Sequence, residues 1–282
     1  MKKILFLVTI LSSINAFSQK DSRVNLKKGQ TITALSTATA NMDMGMGMEM
    51  KSNSTITNVL TVIADEDKNY RISNTTTKLK ISMDMMGQAT NYDSEKAEDK
   101  NSDMGKELSE KLNVADTVLI DKKTGTVVNN KKDSPERPEK GDDTNPLAGL
   151  ISSIGGDIDG NAAIEEAFFI IPPGKNIGDS WTDSTTVDKL TKVENYTIKS
   201  IDNNIAVVLV KIKTNGEGMT EMQGSMVSYT ITTNTGSEIT VDIKKGLVNK
   251  KTSEIEISGS LDVMGQSMPI SSKGNKSVVY QY

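Results

Sequence analysis

Ile81-Ser-Met-Asp-Met-Met-Gly-Gln88 alternates apolar and polar residues and then breaks at Gly87, the pattern of a half-buried strand entering a tight turn. Glycine supplies the positive φ that such a turn often needs. The same corner returns as Leu261-Asp-Val-Met-Gly-Gln266. A second echo joins residues 118–131 to 239–251, both reading as strand, Asp, lysines, Gly, apolar pair, Asn, Lys. From these echoes we expect a mainly β protein: an antiparallel curved sheet or open barrel built from two tandem repeats, with short helices in the linker. The boundaries are 1–18 for a signal peptide, 19–131 and 177–282 for the repeats, and 132–176 for a flexible, partly helical linker, the two repeats forming one domain.

Working outward toward the N-terminus, Ile32, Ala34, Ala38, Ala40, Met42, Met44, Met46, Met48 and Met50 all hold even positions. Thr31, Thr33, Thr37, Thr39, Asn41, Asp43 and Glu49 fill the odd ones, with Leu35 the exception. At ~3.3 Å per residue, one strand over 30–64 would be longer than about 100 Å, so the chain must fold back at Gly45 and Gly47. Residues 64–69 are a polar turn, and Tyr70 begins the strand that ends at Met86-Gly-Gln88. Residues 106–112 predict a short helix.

The run 133–143 contains no residue to bury and reads as linker. Helices are expected at 146–154 and 162–171, the second ended by Pro172-Pro173. The second repeat opens at Ile177-Gly-Asp-Ser-Trp181, with strands over 196–201, 205–212, 227–231, 239–243 and 255–263, and last strands carrying Met268, Ile270, Val278 and Tyr280. Residues 205–210 are apolar at successive positions, which predicts a central strand covered on both sides. Lys78, Lys80, Glu254 and Glu256 are expected to guard exposed edges.

Composition limits function. Lys2 and Lys3 precede an apolar run and then small residues, the three parts of a secretory signal cleaved near Ser18, and no Cys is present for lipidation or disulfides. Removing the signal takes away two of 33 basic residues and none of 37 acids, a net charge of −6 that argues against nucleic acid and anionic membranes. No later stretch is long and apolar enough for a membrane span. The expected location is the periplasm or the medium.

The absence of His and Cys excludes Ser-His, Cys-His and histidine-zinc chemistry, no carboxylate pair stands out, and Lys123-Thr-Gly125 is a hairpin turn with no phosphate-loop pattern. We therefore expect no catalytic residue and no cofactor. Gly155 to Glu166 matches a calcium loop only at Asp157, Asp159, Gly160 and Glu166, which a polar turn before a helix also explains. Trp181 reads as a core anchor.

The methionines are the remaining signal. Met42, Met44, Met46, Met48, Met50, Met83, Met85, Met86, Met219, Met222, Met226, Met264 and Met268 gather at hairpin ends. Three readings stay open: irregular core, an apolar groove for a lipid or hydrophobic peptide, or a soft Cu(I) site. The groove would be lined by Met42, Met44, Met46, Met48, Met50, Met83, Met85, Met86, Met264 and Met268 with Phe168 and Phe169. The alternative is an envelope module that binds another protein through a sheet edge.

An exported signal, Lys27-Lys28-Gly29-Gln30, the Met-Met-Gly-Gln corner, Pro172-Pro173 and Gly178-Asp-Ser-Trp181 together resemble a family of uncharacterised exported β-rich proteins of Gram-negative bacteria. The resemblance spans the mature chain and implies location and architecture. It carries no activity and transfers no catalytic residue.

Overall fold

A computed structural model describes residues 22–45, 47–109, 111–128, 161–187, 189–222, 225–263 and 265–282. The signal and its cleavage point, the helix expected at 146–154, the linker run 133–143, Met46, Met264 and the first six positions of the calcium-like loop lie outside the described residues.

The strands are β1 (Thr31–Asp43), β2 (Glu49–Asp65), β3 (Asn69–Met85), β4 (Gln88–Asp93), β5 (Ala115–Asp121), β6 (Val127–Val128), β7 (Ser180–Val187), β8 (Leu190–Asp202), β9 (Ile205–Met222), β10 (Ser225–Asp242), β11 (Leu247–Val263) and β12 (Gln266–Gln281). They form one antiparallel sheet in the order β6-β5-β3-β2-β1-β12-β11-β10-β9-β8-β7, with β4 paired to β3 alongside. The sheet is curved and unclosed. Among the described residues three short helices interrupt it: α1 (Ala97–Lys100), α2 (Asp103–Ser109) and α3 (Asn161–Glu165).

Alternation decides which side chains turn inward. On β1, Ile32, Ala34, Ser36, Ala38, Ala40 and Met42 are buried. Leu35, the one break in the pattern, is 44% exposed because its odd position points outward. Gly45 and Gly47 both take positive φ and turn the chain so that Met42 pairs with Met50. Register shifts between Thr57 and Asn58 and between Ile198 and Ser200 bend the long strands, as bulges do.

The inner face holds two main apolar clusters. At one end Val24, Leu26, Ile32, Leu60, Ile72, Ile120, Val208, Val241, Leu247 and Tyr280 gather with Ala163, Ile164, Ala167, Phe168 and Ile171. At the other, Ala40, Met42, Met50, Val227, Ile257, Leu261 and Ile270 pack together, with Met44, Met268, Tyr229, Ile231 and Ile255 against them. A smaller cluster of Ile56, Leu79, Tyr92 and Leu108 seats α2.

Two equivalent turns close the first end. Asp121 Oδ1 accepts from the amides of Lys123 and Thr124, and Asp242 Oδ1 from those of Lys244 and Lys245. The incoming N-terminal segment is held between them, the Val24 amide donating to Lys122 O at 2.8 Å and the Asn25 amide to Lys245 O at 3.0 Å. These turns are the two halves of one sequence echo. The echoes run in opposite order, however: 81–88 precedes 118–131, whereas 239–251 precedes 261–266. The shared letters therefore encode shared turns, and a collinear repeat does not follow from them.

Several expectations change. The helix over 162–171 stops at Glu165, because Phe168 bridges to Leu247 and the Phe169 amide donates to Gly246 O. The helix expected over 106–112 lies at Asp103–Ser109. Segments 227–231 and 239–243 belong to one long strand, β10, which runs through the polar stretch between them, and one strand, β12, carries Met268 to Tyr280. Leu209 is 39% exposed, so residues 205–210 are covered on one face only. Lys78, Lys80, Glu254 and Glu256 sit on interior strands instead of guarding edges, and three of them form ion pairs, Lys78–Glu95, Lys80–Asp93 and Lys273–Glu256.

Candidate functional site

The turns that end β1, β3, β9 and β11 lie at one end of the sheet, because each neighbour pair is antiparallel. Methionine gathers there. Met42 and Met50 face each other in register, inside the cluster and almost fully buried. Met44 and Met268 pack against the same cluster, and Met48 is partly buried in the turn.

The next strand is different. Met85 lies opposite Met50 and shares its inner face, yet it is 48% exposed. Met83 is partly buried, and Gln88 and Thr90, their partners on β4, are exposed. Met86 takes a positive φ in the turn and is largely exposed. The inner face is thus packed at Met42 and Met50 and open toward β3 and β4. A separate shallow groove of about 510 Å³ lies on the outward face behind Met42, Met50 and Ile257, lined by Asn41, Lys51, Glu256 and Lys273.

Phe168 and Phe169 belong to the opposite end. Phe168 is buried in the first cluster, and Phe169 packs 6.4 Å from Trp181 and 5.7 Å from Tyr196. Trp181 and Tyr196 stack at 5.0 Å with an angle of 9°, so Trp181 anchors the first cluster. The structure places the described methionines of the expected set at one end of the sheet, with Met46 and Met264 outside the described residues, and places the two phenylalanines at the other cluster.

Between the clusters the inner face is polar. Asn58 donates to Asn74 and Thr76, Ser237 bonds Ser253 at 2.8 Å, and Ser272 donates to Asn41 O. Buried polar groups are tolerated when paired in this way. At the same level Glu166, just past α3, meets two lysines from the sheet. Its Oε1 is 3.0 Å from Lys251 Nζ, and its Oε2 is 3.1 Å from Lys276 Nζ in an ion pair without an aligned hydrogen bond. Burial works against the charged form of Glu166, but the two ammonium groups outweigh it and hold its carboxyl below the usual range. Nearby Tyr280 donates to Ala163 O at 2.9 Å, and burial raises its phenol, with the Glu166 charge adding to the effect.

Sequence reasoning weighed Glu166 only as a calcium ligand and did not single out the lysines. Part of the signal was present: Lys276 stands at an inward position of an alternating strand, between Gly274 and Val278, whereas the bulge at Asn249 breaks the alternation before Lys251. A charge on a buried register needs a partner.

No helix among the described residues is long and apolar enough to cross a membrane. A structure of lipovitellin titled for its lipid–protein interactions aligns with TM-score 0.50 and 8% identity, over 92% of this chain and 26% of lipovitellin's. The chain spans about a quarter of that protein, and the likeness is one of fold. An outer membrane channel from Pseudomonas putida F1 aligns at TM-score 0.21 and 10% identity over 93% of this chain and 98% of the channel. OccK5 of Pseudomonas aeruginosa aligns at 0.24 and 4% over 92% and 100%. Those two scores are too low to bear on the fold. No curated protein matches the chain. Residues 160–248, from α3 into the start of β11, match the model of a family of unknown function (DUF6263), and over that stretch the chain carries the kind of uncharacterised domain that its sequence resembles.

Proposed function

We propose that this is an exported, non-catalytic protein, periplasmic or secreted, that binds an apolar ligand, a lipid acyl chain or a hydrophobic peptide, on the inner face at the methionine end. The observation that carries the reading is the contrast between Met50 and Met85, side by side on one face, one buried and the other half exposed. A packed apolar surface there runs out into an accessible one bordered by flexible thioethers, a chemistry suited to an adaptable apolar guest. The likeness of fold to about a quarter of lipovitellin, in a structure titled for its lipid–protein interactions, supports it. The test is native mass spectrometry of protein purified from its own compartment, with a parallel delipidated sample given Cu(I). Adducts of lipid mass that vanish on extraction support the reading. Steps of one copper ion would replace it with the soft-metal reading, and a bare mass in both samples would refute it.

One observation favours a second reading, a module that binds an envelope protein by adding a strand. β7 is an eight-residue edge strand whose only charge is Asp183, and among the described residues nothing pairs with its free side. Such an edge is a template for an incoming strand. A partner recovered with the wild type and lost with Ser184→Pro would favour this reading; retention with the variant would refute it.

A further inference from the structure

We propose that Met85 and Met86 are a site of reversible sulfoxidation, and that their oxidation by a peroxide releases the apolar ligand from the methionine flank. This inference rests on the apolar-ligand reading above and names a regulation of that site.

The turn carries the argument first. Met86 has φ 54 and Gly87 φ 83, in a two-residue connection between Met85 and Gln88. Hairpins with positive φ at both places favour glycine, asparagine or aspartate there. The same sheet makes that choice where β8 turns into β9, with Asn203 at φ 47 and Asn204 at φ 69 between Asp202 and Ile205. At Met86 the backbone is held by its neighbours: its amide donates to Glu49 O at 3.1 Å, and the Gly87 amide to Asp84 Oδ1 at 2.8 Å. A methionine in this conformation is strained, and burial does not offset the strain, since Met86 is 66% exposed. The position is held by methionine for what a thioether does in contact with solvent.

Chemistry carries it second. The chain has 15 methionines and no cysteine, so thioethers are its most readily oxidised side chains. Access grades them: Met86 and Met85 are 66% and 48% exposed, Met42 and Met50 only 2% and 4%. In the reaction the sulfur lone pair attacks one oxygen of hydrogen peroxide, and the S–O bond forms as the O–O bond breaks. Sulfur loses two electrons, and the departing hydroxide takes the proton of the transferred oxygen and leaves as water. A dithiol, acting through a sulfoxide reductase, returns two electrons, becomes a disulfide and releases the oxygen as water. The sulfoxide is polar. At Met85, which shares a face with buried Met50, it turns the accessible margin of the apolar face into a hydrated one while the packed sulfurs behind it stay reduced.

The test titrates full-length mature protein with hydrogen peroxide, maps the sulfoxides by peptide mass spectrometry, and follows binding of a fluorescent polyene fatty acid methyl ester. Conversion at Met85 and Met86 is expected to run at least about tenfold faster than at Met42 and Met50, and to weaken ester binding by about tenfold. A sulfoxide reductase with dithiothreitol should restore binding. Met219, 63% exposed on β9 and far across the sheet from β3, separates the switch from exposure alone. Met219→Leu should lose binding on oxidation as the wild type does, whereas the pair Met85→Leu and Met86→Leu should keep it. Circular dichroism checks folding, and the wild-type time course, binding against site-by-site conversion, stands without any variant. Equal oxidation of buried and exposed methionines would overturn the site. Selective oxidation with unchanged ester binding would overturn the switch and leave the apolar reading standing. Absence of ester binding before peroxide would overturn the apolar reading and the switch together.

Discussion

Met42→Ala and Met85→Ala make the same chemical change on the same face of the sheet, two strands and two hairpins apart in sequence, and should differ in what they cost. Met42 is 2% exposed and enclosed by Ala40, Met50, Ile257, Leu261 and Ile270. Truncating a buried methionine costs about 2–5 kcal/mol, the lost transfer energy plus the cavity left behind. For a domain of this size about 1 kcal/mol moves the midpoint by ~2–4 °C, so Met42→Ala should lower Tm by roughly 5–15 °C. Met85, half exposed, should change stability by less than about 0.5 kcal/mol. The stabilisation added by a saturating apolar ligand ranks them the other way. At about a hundred times Kd a ligand adds ~2.7 kcal/mol to the wild type, and Met85→Ala should lose part of that gain by raising Kd. The assay is differential scanning calorimetry of delipidated protein with and without ligand. Equal, small shifts for the two variants in the unliganded protein would refute the reasoning, since Met42 would then line a void and not a core.

Three further predictions concern the other end and the polar level. Gly246 has φ +64, and a Cβ there would meet Ile170 Cδ1 at 2.6 Å and Arg23 O at 3.2 Å, whereas Gly29, φ +83, has open space around it. Gly29→Ala should cost ~1 kcal/mol from backbone strain alone, and Gly246→Ala ~1–3 kcal/mol more from overpacking; equal losses in urea titrations would show that residues 23–24 and 170 do not press on the turn. Glu166 titrates below its unfolded value, so its contribution is complete above pH ~4.3 and is lost as pH falls through the folded pKa. Glu166→Gln should therefore flatten the acid limb of a stability–pH curve, and an unchanged limb would refute the pairing. Tyr280 titrates above its usual value, so its contribution holds below pH ~10 and is lost as pH rises beyond that; Tyr280→Phe should flatten the alkaline limb.

The sequence disclosed what alternation can disclose. The even positions of β1, the Gly45–Gly47 corner and the Met86-Gly87 turn were all readable, because each depends on a local period or a positive φ. Alternation failed where both faces are polar. β9 and β10 continue through Lys213, Asn215 and Glu217 and through Thr232, Asn234 and Gly236, letters that suggest loops until their neighbours pair with them. Residues 167–171 were misread for the opposite reason: they are apolar because they pack into the first cluster, and burial without a period looks like a helix in one dimension. The inward register of Lys276 could be read, but its meeting with Glu166 and Lys251 could not, since Glu166 and Lys251 are 85 residues apart.

The unequal edges of the sheet bear on which proposed function the fold favours. Among the described residues the boundary on one side is stepped: β6 has two residues, β5 seven, and β4 covers only the C-terminal part of β3. On the other, β7 offers eight residues in line. Closing the sheet into a barrel would require pairing a straight edge with a stepped one, which leaves backbone groups unpaired at every step. The curve therefore stays open, and the inner face is reached from the side where the steps are, beside β3 and β4. That is the side on which Met85 stands exposed. The same geometry that prevents closure thus opens the apolar face at the methionines, while the free edge of β7 lies at the far side of the sheet. A ligand in the groove and a strand on the edge would occupy opposite flanks, so binding one need not displace the other, and adding the fatty acid ester to a partner-bound sample should leave the partner in place.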